Sequence, residues 1–252
     1  MRNFYLDGLG KNRFIGELLH VPADERHHIE CVLRLGNGDQ VNFLDGEGYC
    51  YRVELQSDGR QLLGKVLESR YVSPIQPKIT LFQGLPKFDK MRQIVRQSTE
   101  VGVDRIVPMI CERSIPKYNS ESVHKKVSRW QKISNQSARQ SCRYHFINID
   151  PPMNSMSCLT QGSNFDLAIL FYELESKLFI RSIINQKETL ESVALFVGPE
   201  GGFTNGEVEI AKAHGILTAS LGHNILRTET APIVAASLLV YELRHKKMDI
   251  HD

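Results

Sequence analysis

Apolar and polar residues alternate in three short runs near the start of the chain, QVNFLD (40–45), YCYRVELQ (49–56) and QLLGKVLE (61–68). The stretches around them carry the turn signals LGNGD, DGEG and SDGR. Alternation at a period of two, bounded by Gly, Asn and Asp, predicts half-buried strands joined by tight turns. The first 72 residues or so therefore read as a small antiparallel barrel. In SPIQPK, Pro74 and Pro77 bracket a stretch with neither strand nor helix period. This predicts a linker, with one domain over 1–73 and a second over 74–252.

Beyond the linker the pattern changes. Apolar runs ITLFQG (79–84), DRIVPMI (104–110), DLAILFY (166–172) and VALFVG (193–198) alternate with helical stretches at 87–101, 120–143 and 176–186. That alternation predicts an α/β domain with a mostly parallel sheet covered by helices. The unbroken apolar runs of DLAILFY and VALFVG belong in the sheet's interior, buried on both faces. Within 87–101, Met91, Ile94, Val95, Ser98 and Val101 recur at helical spacing, which leaves Lys87, Lys90, Arg92, Arg96 and Gln97 on a basic outer surface. A last helix is predicted from Thr230, with Pro232 in its first turn, where a missing N–H costs little. Ala235, Ala236 and Leu239 let it pack closely. No internal repeat or low-complexity segment interrupts this two-domain pattern.

Composition mainly excludes. Charged residues are 24% and hydrophobic ones 41% of 252, and no apolar run approaches the roughly 20 residues that cross a bilayer. The opening MRNFYLDGLGKNRF lacks a secretory pattern, so no membrane association and a cytoplasmic location are expected. Cys31, Cys50, Cys111, Cys142 and Cys158 have neither CxxC spacing nor an even count, which predicts free thiols rather than disulfides or zinc. Adjacent His27 and His28 point in different directions and have no third ligand at suitable spacing, so no metal is expected. A net charge of +2 permits a polyanionic partner without requiring one. Trp130, at helical spacing from Val127 and Ile133, reads as a core or interface anchor.

The chemistry concentrates near the end. VGPEGGF (197–203) follows a buried strand, and TNGE (204–207) has capping-box spacing. Gly198, Gly201 and Gly202 let a ligand approach the backbone closely. Alone, this turn serves equally as a tight strand-to-helix connection or as a ligand loop. It lacks the GxGxxG of dinucleotide-binding turns and the GK[ST] ending of a P-loop, which disfavours NAD and a nucleotide hydrolase. About twenty residues on, ILTASLG leads into a second irregular turn, HNILRTETAP. There Arg227 supplies a fixed cation and Glu229 a carboxylate, either as a substrate-holding pair or as a surface salt bridge.

VGPEGGF together with LGHNILRTETAP resembles the signature of the RsmE family of 16S ribosomal RNA uridine-N3 methyltransferases, in the SPOUT superfamily. RQSTEVGVDRIVPMICERS (96–114), QSCR (140–143) and HHIECVLRLGNGDQVNFLDG (27–46) are similar to that family too, so the likeness covers nearly the whole chain. It implies a PUA-like RNA-binding barrel in front and a SPOUT α/β domain with a C-terminal trefoil knot. It implies S-adenosyl-L-methionine held by Gly198, Pro199, Glu200, Gly201, Gly202, Leu221, Gly222, Ile225, Leu226, Arg227 and Thr228. Catalysis would fall to Arg227 and Glu229: the cation stabilises the developing uracil anion, and Glu229 or Glu200 accepts the N3 proton. The implied partners are 16S ribosomal RNA or the small ribosomal subunit and a second copy in a homodimer.

Arg2, Arg34, Lys87, Lys90, Arg96, Arg113 and Arg143 are the candidate phosphate contacts, each of which alone also reads as a solvated charge. The chain departs from the family's pattern at Asn224, where an arginine is typical, and at Gln136 and Arg139, where acidic residues are typical. The loss of a cation at Asn224 leaves a second reading, a catalytically weak SPOUT-fold RNA-binding or ribosome-assembly protein.

Overall fold

The computed structural model describes every residue except Met1, Asp7, 11–12, Asp58, 115–119, 185–188 and 246–252, and only the backbone at 120–122 and 244–245. Two compact units divide the chain: Met1–Pro74 with Ala138–Phe146, and Ile75–Ser137 with Ile147–Asp252.

The first unit contains β1 (Asn3–Tyr5), β2 (Leu18–His20), α1 (Ala23–His27) running into a π-helical turn, β3 (Gln40–Leu44), β4 (Tyr49–Ser57) and β5 (Leu62–Tyr71). Its sheet has the order β1-β3-β4-β5-β2. The turn-bounded runs form the antiparallel ladders β3–β4 and β4–β5, while β1 lies parallel to β3. That parallel pair departs from the expected all-antiparallel barrel. The intervening β2 and α1 make a connection long enough for a parallel return, which a two-residue hairpin cannot provide.

One face of the sheet buries Val41, Phe43, Tyr51, Val53, Leu55 and Leu62. The other face buries Tyr5, Leu44 and Cys50 under Tyr144 and Phe146, which arrive with Ala138–Phe146. Tyr5 stacks on Phe146 at 5.4 Å between ring centroids and donates to the Arg143 carbonyl at 2.7 Å. Burial pushes its phenol well above the ordinary range.

The second unit runs β6 (Lys78–Gly84), α2 (Lys90–Val101), β7 (Arg105–Ile110), α3 (Ser120–Gln140), β8 (Asn148–Ile149), β9 (Met153–Asn154), α4 (Ser155–Leu159), β10 (Leu167–Phe171), α5 (Ile180–Ile184), β11 (Ser192–Val197), α6 (Asn205–Ala213), β12 (Leu217–Ala219) and α7 (Ala231–His245). The strands form a parallel sheet in the order β12-β10-β11-β6-β7-β8, with β9 beside β7. DLAILFY and VALFVG become β10 and β11, each paired on both sides. Period two distributes β11 between two cores. Val193, Leu195 and Val197 pack with Met91, Ile94, Ala235 and Leu239, whereas Ala194 and Phe196 pack with Cys158, Leu159, Val208 and Ala211.

Two helices start later than their periodicity predicts, for local reasons. The 87–101 helix begins at Lys90 because the Lys87 N–H is taken by the Glu200 carboxylate and Phe88 has φ +57°. The 176–186 helix is described only over Ile180–Ile184, because Glu175 Oε1 accepts the N–H groups of Ser176, Lys177 and Leu178 and holds them in a turn; positions 185–186 lie outside the described residues. No described helix is long and apolar enough to cross a membrane, and no described cluster of three His, Cys, Asp or Glu can hold a metal ion.

The chain lays down β6, β7 and β8, resumes on the far side of β6 at β10, and returns β11 between β10 and β6. The carboxyl ends of β6, β11, β10 and β12 are therefore neighbours, and such a topological switch is where open parallel sheets bind ligands.

Candidate functional site

The glycine turn begins where β11 ends. A hydrogen bond from Gly202 N to Pro199 O at 2.9 Å closes it. Gly202 takes φ +67°, so its backbone calls for glycine; a Cβ there would lie 2.5 Å from Glu173 Oε1, the end of a side chain that can move aside. On its outer side Arg113 Nη1 donates to the Gly201 carbonyl at 2.8 Å.

The turn passes straight into α6, whose first residues form a complete capping box. Thr204 Oγ1 accepts from Glu207 N at 3.2 Å, and Glu207 Oε2 accepts from Thr204 N at 2.9 Å. Glu207 is fully buried, and its other oxygen accepts from Glu112 N at 3.1 Å. Both oxygens are thus needed as acceptors. Glu207→Gln turns an NH2 toward one of these donors, and the expected cost is about 2–3 kcal/mol, a fall in Tm of roughly 5–10 °C for a chain this size. Thermal unfolding followed by circular dichroism measures it, and an unchanged Tm would remove Glu207 from the scaffold of the turn.

The second turn, between β12 and α7, is latched to the first. Thr228 Oγ1 donates to the Gly198 carbonyl at 2.9 Å and receives the Gln83 Nε2 hydrogen at 3.3 Å. Gln83 is buried at the end of β6, and its Oε1 has no hydrogen-bond partner. The next residue, Gly84, lies directly under the turn: a Cβ there would meet Pro199 N and Cδ, both at 2.5 Å. The Arg227 carbonyl accepts from Thr230 N at 2.8 Å and Ala231 N at 2.9 Å, which starts α7 and leaves the Arg227 side chain exposed.

Between the two turns lies a cavity of about 560 Å³, within the roughly 300–1,000 Å³ of small-molecule sites. Every residue singled out from Gly198–Gly202 and from 221–228 lines it, as does Asn224. Lys90 also reaches it, with Nζ 3.0 Å from Glu200 Oε1 and 3.1 Å from Glu229 Oε2. The second contact pairs the Lys90 ammonium with the buried Oε2 of Glu229, a residue that does not itself line the cavity. The two carboxylates hold the Lys90 ammonium above its ordinary pKa. Burial pushes the Glu200 carboxyl up, but backbone N–H groups and Lys90 outweigh it and hold it below the usual range.

Of the other candidate phosphate contacts, Lys87, Arg96 and Arg113 lie outside this cavity in the same unit, and Arg2, Arg34 and Arg143 lie in the first unit. Sequence reasoning missed Gln83, Gly84 and Glu173. A buried polar residue followed by glycine at the carboxyl end of an apolar strand, QG in ITLFQG, is the signal that marks the first two. Glu173 follows β10 at the same edge, with nothing in its immediate sequence to mark it.

A family model described as an RNA methyltransferase domain matches residues 73–240, and one described as an RNA methyltransferase PUA domain matches 21–67. The chain is 32% identical to the ribosomal RNA small subunit methyltransferase E of Bacillus subtilis over 231 residues, 88% of this chain and 89% of that protein. It is 29% identical to the protein of the same name from Mycobacterium tuberculosis, over 92% of this chain and 88% of that one. A crystal structure of the Neisseria gonorrhoeae ribosomal RNA small subunit methyltransferase E bound to S-adenosyl methionine superposes with a TM-score of 0.80 at 26% identity, over 96% of this chain and 98% of that one. A Legionella pneumophila putative methyltransferase in complex with the same cofactor gives 0.76 at 28% identity, over 96% and 98%. With an RNA methyltransferase domain matched over 73–240, more than half of the chain, and a 32% identical relative covered over most of both lengths, the chain belongs to the ribosomal RNA small subunit methyltransferase E family of RNA methyltransferases.

Proposed function

We propose that the chain transfers the methyl group of S-adenosylmethionine to N3 of a uridine in 16S ribosomal RNA. The observation that carries this reading is the pair of latched turns enclosing one cavity at the carboxyl edge of the sheet, with Arg227 of the second turn on its wall and Lys90, also on the wall, paired with Glu229. Support also comes from the Neisseria and Legionella relatives, whose structures hold the cofactor.

The residues fit that cofactor. Apolar Leu221, Ile225 and Leu226 and the backbone of 198–202 suit an adenosine, and Glu173 and Glu200 provide negative charge for a cationic ligand. When bound, S-adenosylmethionine supplies the electrophilic methyl group. The chain's own residues must position a flipped-out uracil and handle its imide proton. The imide is a weak acid, mostly neutral at pH 7, so its N3 becomes nucleophilic only as the proton leaves. Arg227 stabilises the negative charge that develops on the uracil oxygens. Glu229, whose buried Oε2 pairs with the Lys90 ammonium on the cavity wall, receives the proton.

The test is incorporation of methyl-labelled S-adenosylmethionine into 16S ribosomal RNA and into small subunits lacking the modification, followed by mass spectrometry of nuclease digests. N3-methyluridine is the expected product. Label on another base or atom overturns the N3 assignment, and RNA binding without incorporation favours an assembly protein.

A further inference from the structure

The loop joining β6 to α2 holds a side chain that nothing in the chain accounts for. Phe88 sits at φ +57° and is 92% exposed. The left-handed region suits glycine or asparagine and strains a residue with a bulky side chain, and a ring in water recovers none of that cost through packing. A single exposed aromatic is ordinary on a protein surface. Phe88 differs in its backbone and in its anchors.

The residue before it, Lys87, donates its N–H to both Glu200 oxygens at 3.1 and 3.2 Å. Two residues after it, Lys90 bridges Glu200 and Glu229. Leu85 is fully buried with its N–H on the Met109 carbonyl at 2.8 Å, and Asp89 accepts from Arg92 at 2.8 Å. The loop is therefore tied on both sides of Phe88 to Glu200 on the cavity wall, through Lys87 and Lys90, and the ring stands exposed between these two ties.

We infer that Phe88 is a stacking platform for an unpaired base of the RNA strand that enters the cavity, a reading that rests on the RNA methyltransferase function proposed above. Turning a base out to reach its N3 unstacks its neighbours. A fixed aromatic ring replaces lost stacking without regard to base identity, and nearby cations follow the backbone. Lys87, flanking the ring, and Arg96, exposed on α2, are placed for that second task. Asp89 carries the opposing charge and is partly neutralised by Arg92 at 2.8 Å and Arg129 at 3.7 Å.

Three variants of the full-length protein test this: Phe88→Asn, Phe88→Tyr and Phe88→Trp. Binding of a fluorescein-labelled oligouridylate is measured with saturating S-adenosylhomocysteine, alongside Tm and steady-state methylation of 16S ribosomal RNA. Asparagine tolerates positive φ, so Phe88→Asn should keep or raise the Tm. It should weaken oligouridylate binding roughly tenfold, within the range that loss of one base–aromatic stack gives. KM for RNA should rise while kcat at saturating RNA holds. Phe88→Tyr should bind like the unaltered protein. Phe88→Trp should show emission quenched by the oligouridylate over the constant background of Trp130, which is buried.

Unchanged oligouridylate binding by Phe88→Asn overturns the inference, as does Phe88→Trp emission indifferent to RNA. A shift in oligomeric state with RNA affinity preserved also overturns it, in favour of a contact between copies. If the unaltered protein binds RNA but transfers no methyl group, the proposed function fails, while binding and quenching still decide the role of Phe88.

Discussion

Gly84→Ala is expected to weaken cofactor binding strongly while leaving most of the chain folded. The added methyl would lie 2.5 Å from both N and Cδ of Pro199 and 2.8 Å from the Gly198 carbonyl carbon. Such distances require something to move, and the atoms in the way are largely backbone. β6 cannot retreat, because it is paired on one side with β11 and on the other with β7. The glycine turn must yield instead, although Thr228 ties Gly198 at one end and Arg113 holds Gly201 at the other. Overpacking of this kind costs about 1–3 kcal/mol.

The larger effect falls on the site, whose wall is the displaced turn. Holding the turn in its binding geometry against that cost of about 1–3 kcal/mol should reduce S-adenosylmethionine affinity roughly 10–100-fold. Calorimetric titration with S-adenosylmethionine measures the loss. Gly206→Ala is the control: its Cβ would meet only Thr204 Oγ1, at 3.8 Å, inside α6, and alanine there should stabilise by roughly 0.5–1 kcal/mol. Equal cofactor affinity in both variants would show that the close approach of Gly84 to the turn does not shape the pocket.

The contrast between these glycines shows what a sequence can disclose. The 198–202 turn announces itself because three of its five residues are glycine and it follows an apolar run. Gly84 announces little, since its constraint comes from a segment more than a hundred positions away. β10 and β11 were legible because burial on both faces forces apolar residues at every position, a property of the strand itself. The parallel placement of β1 beside β3 was not, because strand alternation records which face is buried and not which neighbour pairs. The packing of Tyr144 and Phe146 on the first unit's sheet likewise leaves no periodic trace.

Lys90 illustrates the same limit in electrostatics. On a helical wheel it belongs to a basic surface with Arg92 and Arg96. In the fold it turns into the cavity and pairs with two carboxylates from distant turns, while Arg92 pairs with Asp89. The basic surface of α2 thus divides into charges used within the protein and others, such as Arg96, exposed on its surface. A count of lysines and arginines cannot make that division, because it depends on which carboxylates the topology brings near.

Replacing the two polar groups of the second turn should separate their roles. Arg227→Met keeps much of the side chain's length and removes its charge. If the guanidinium stabilises charge on the uracil oxygens, kcat should fall by roughly 10²–10³, the usual effect of deleting one preorganised electrostatic donor. Affinity for S-adenosylmethionine should change by less, because the backbone of 198–202, apolar Leu221, Ile225 and Leu226, and the carboxylates of Glu173 and Glu200 all remain. Glu229→Gln preserves shape but cannot take a proton, and loss of a positioned proton acceptor costs about 10²–10⁴.

The pH dependence then tells the two apart. As pH rises, more of the uridine loses its N3 proton without help, so the Glu229→Gln deficit should shrink steadily toward alkaline pH. The Arg227→Met deficit should persist, because an anion formed in solution still needs its charge stabilised beside the methyl donor. A Glu229→Gln deficit that stays constant across pH would move the proton acceptor elsewhere, with Glu200, which lines the cavity, as the next candidate. Full turnover by both variants would remove this turn from the chemistry and leave it only a part in holding the cofactor.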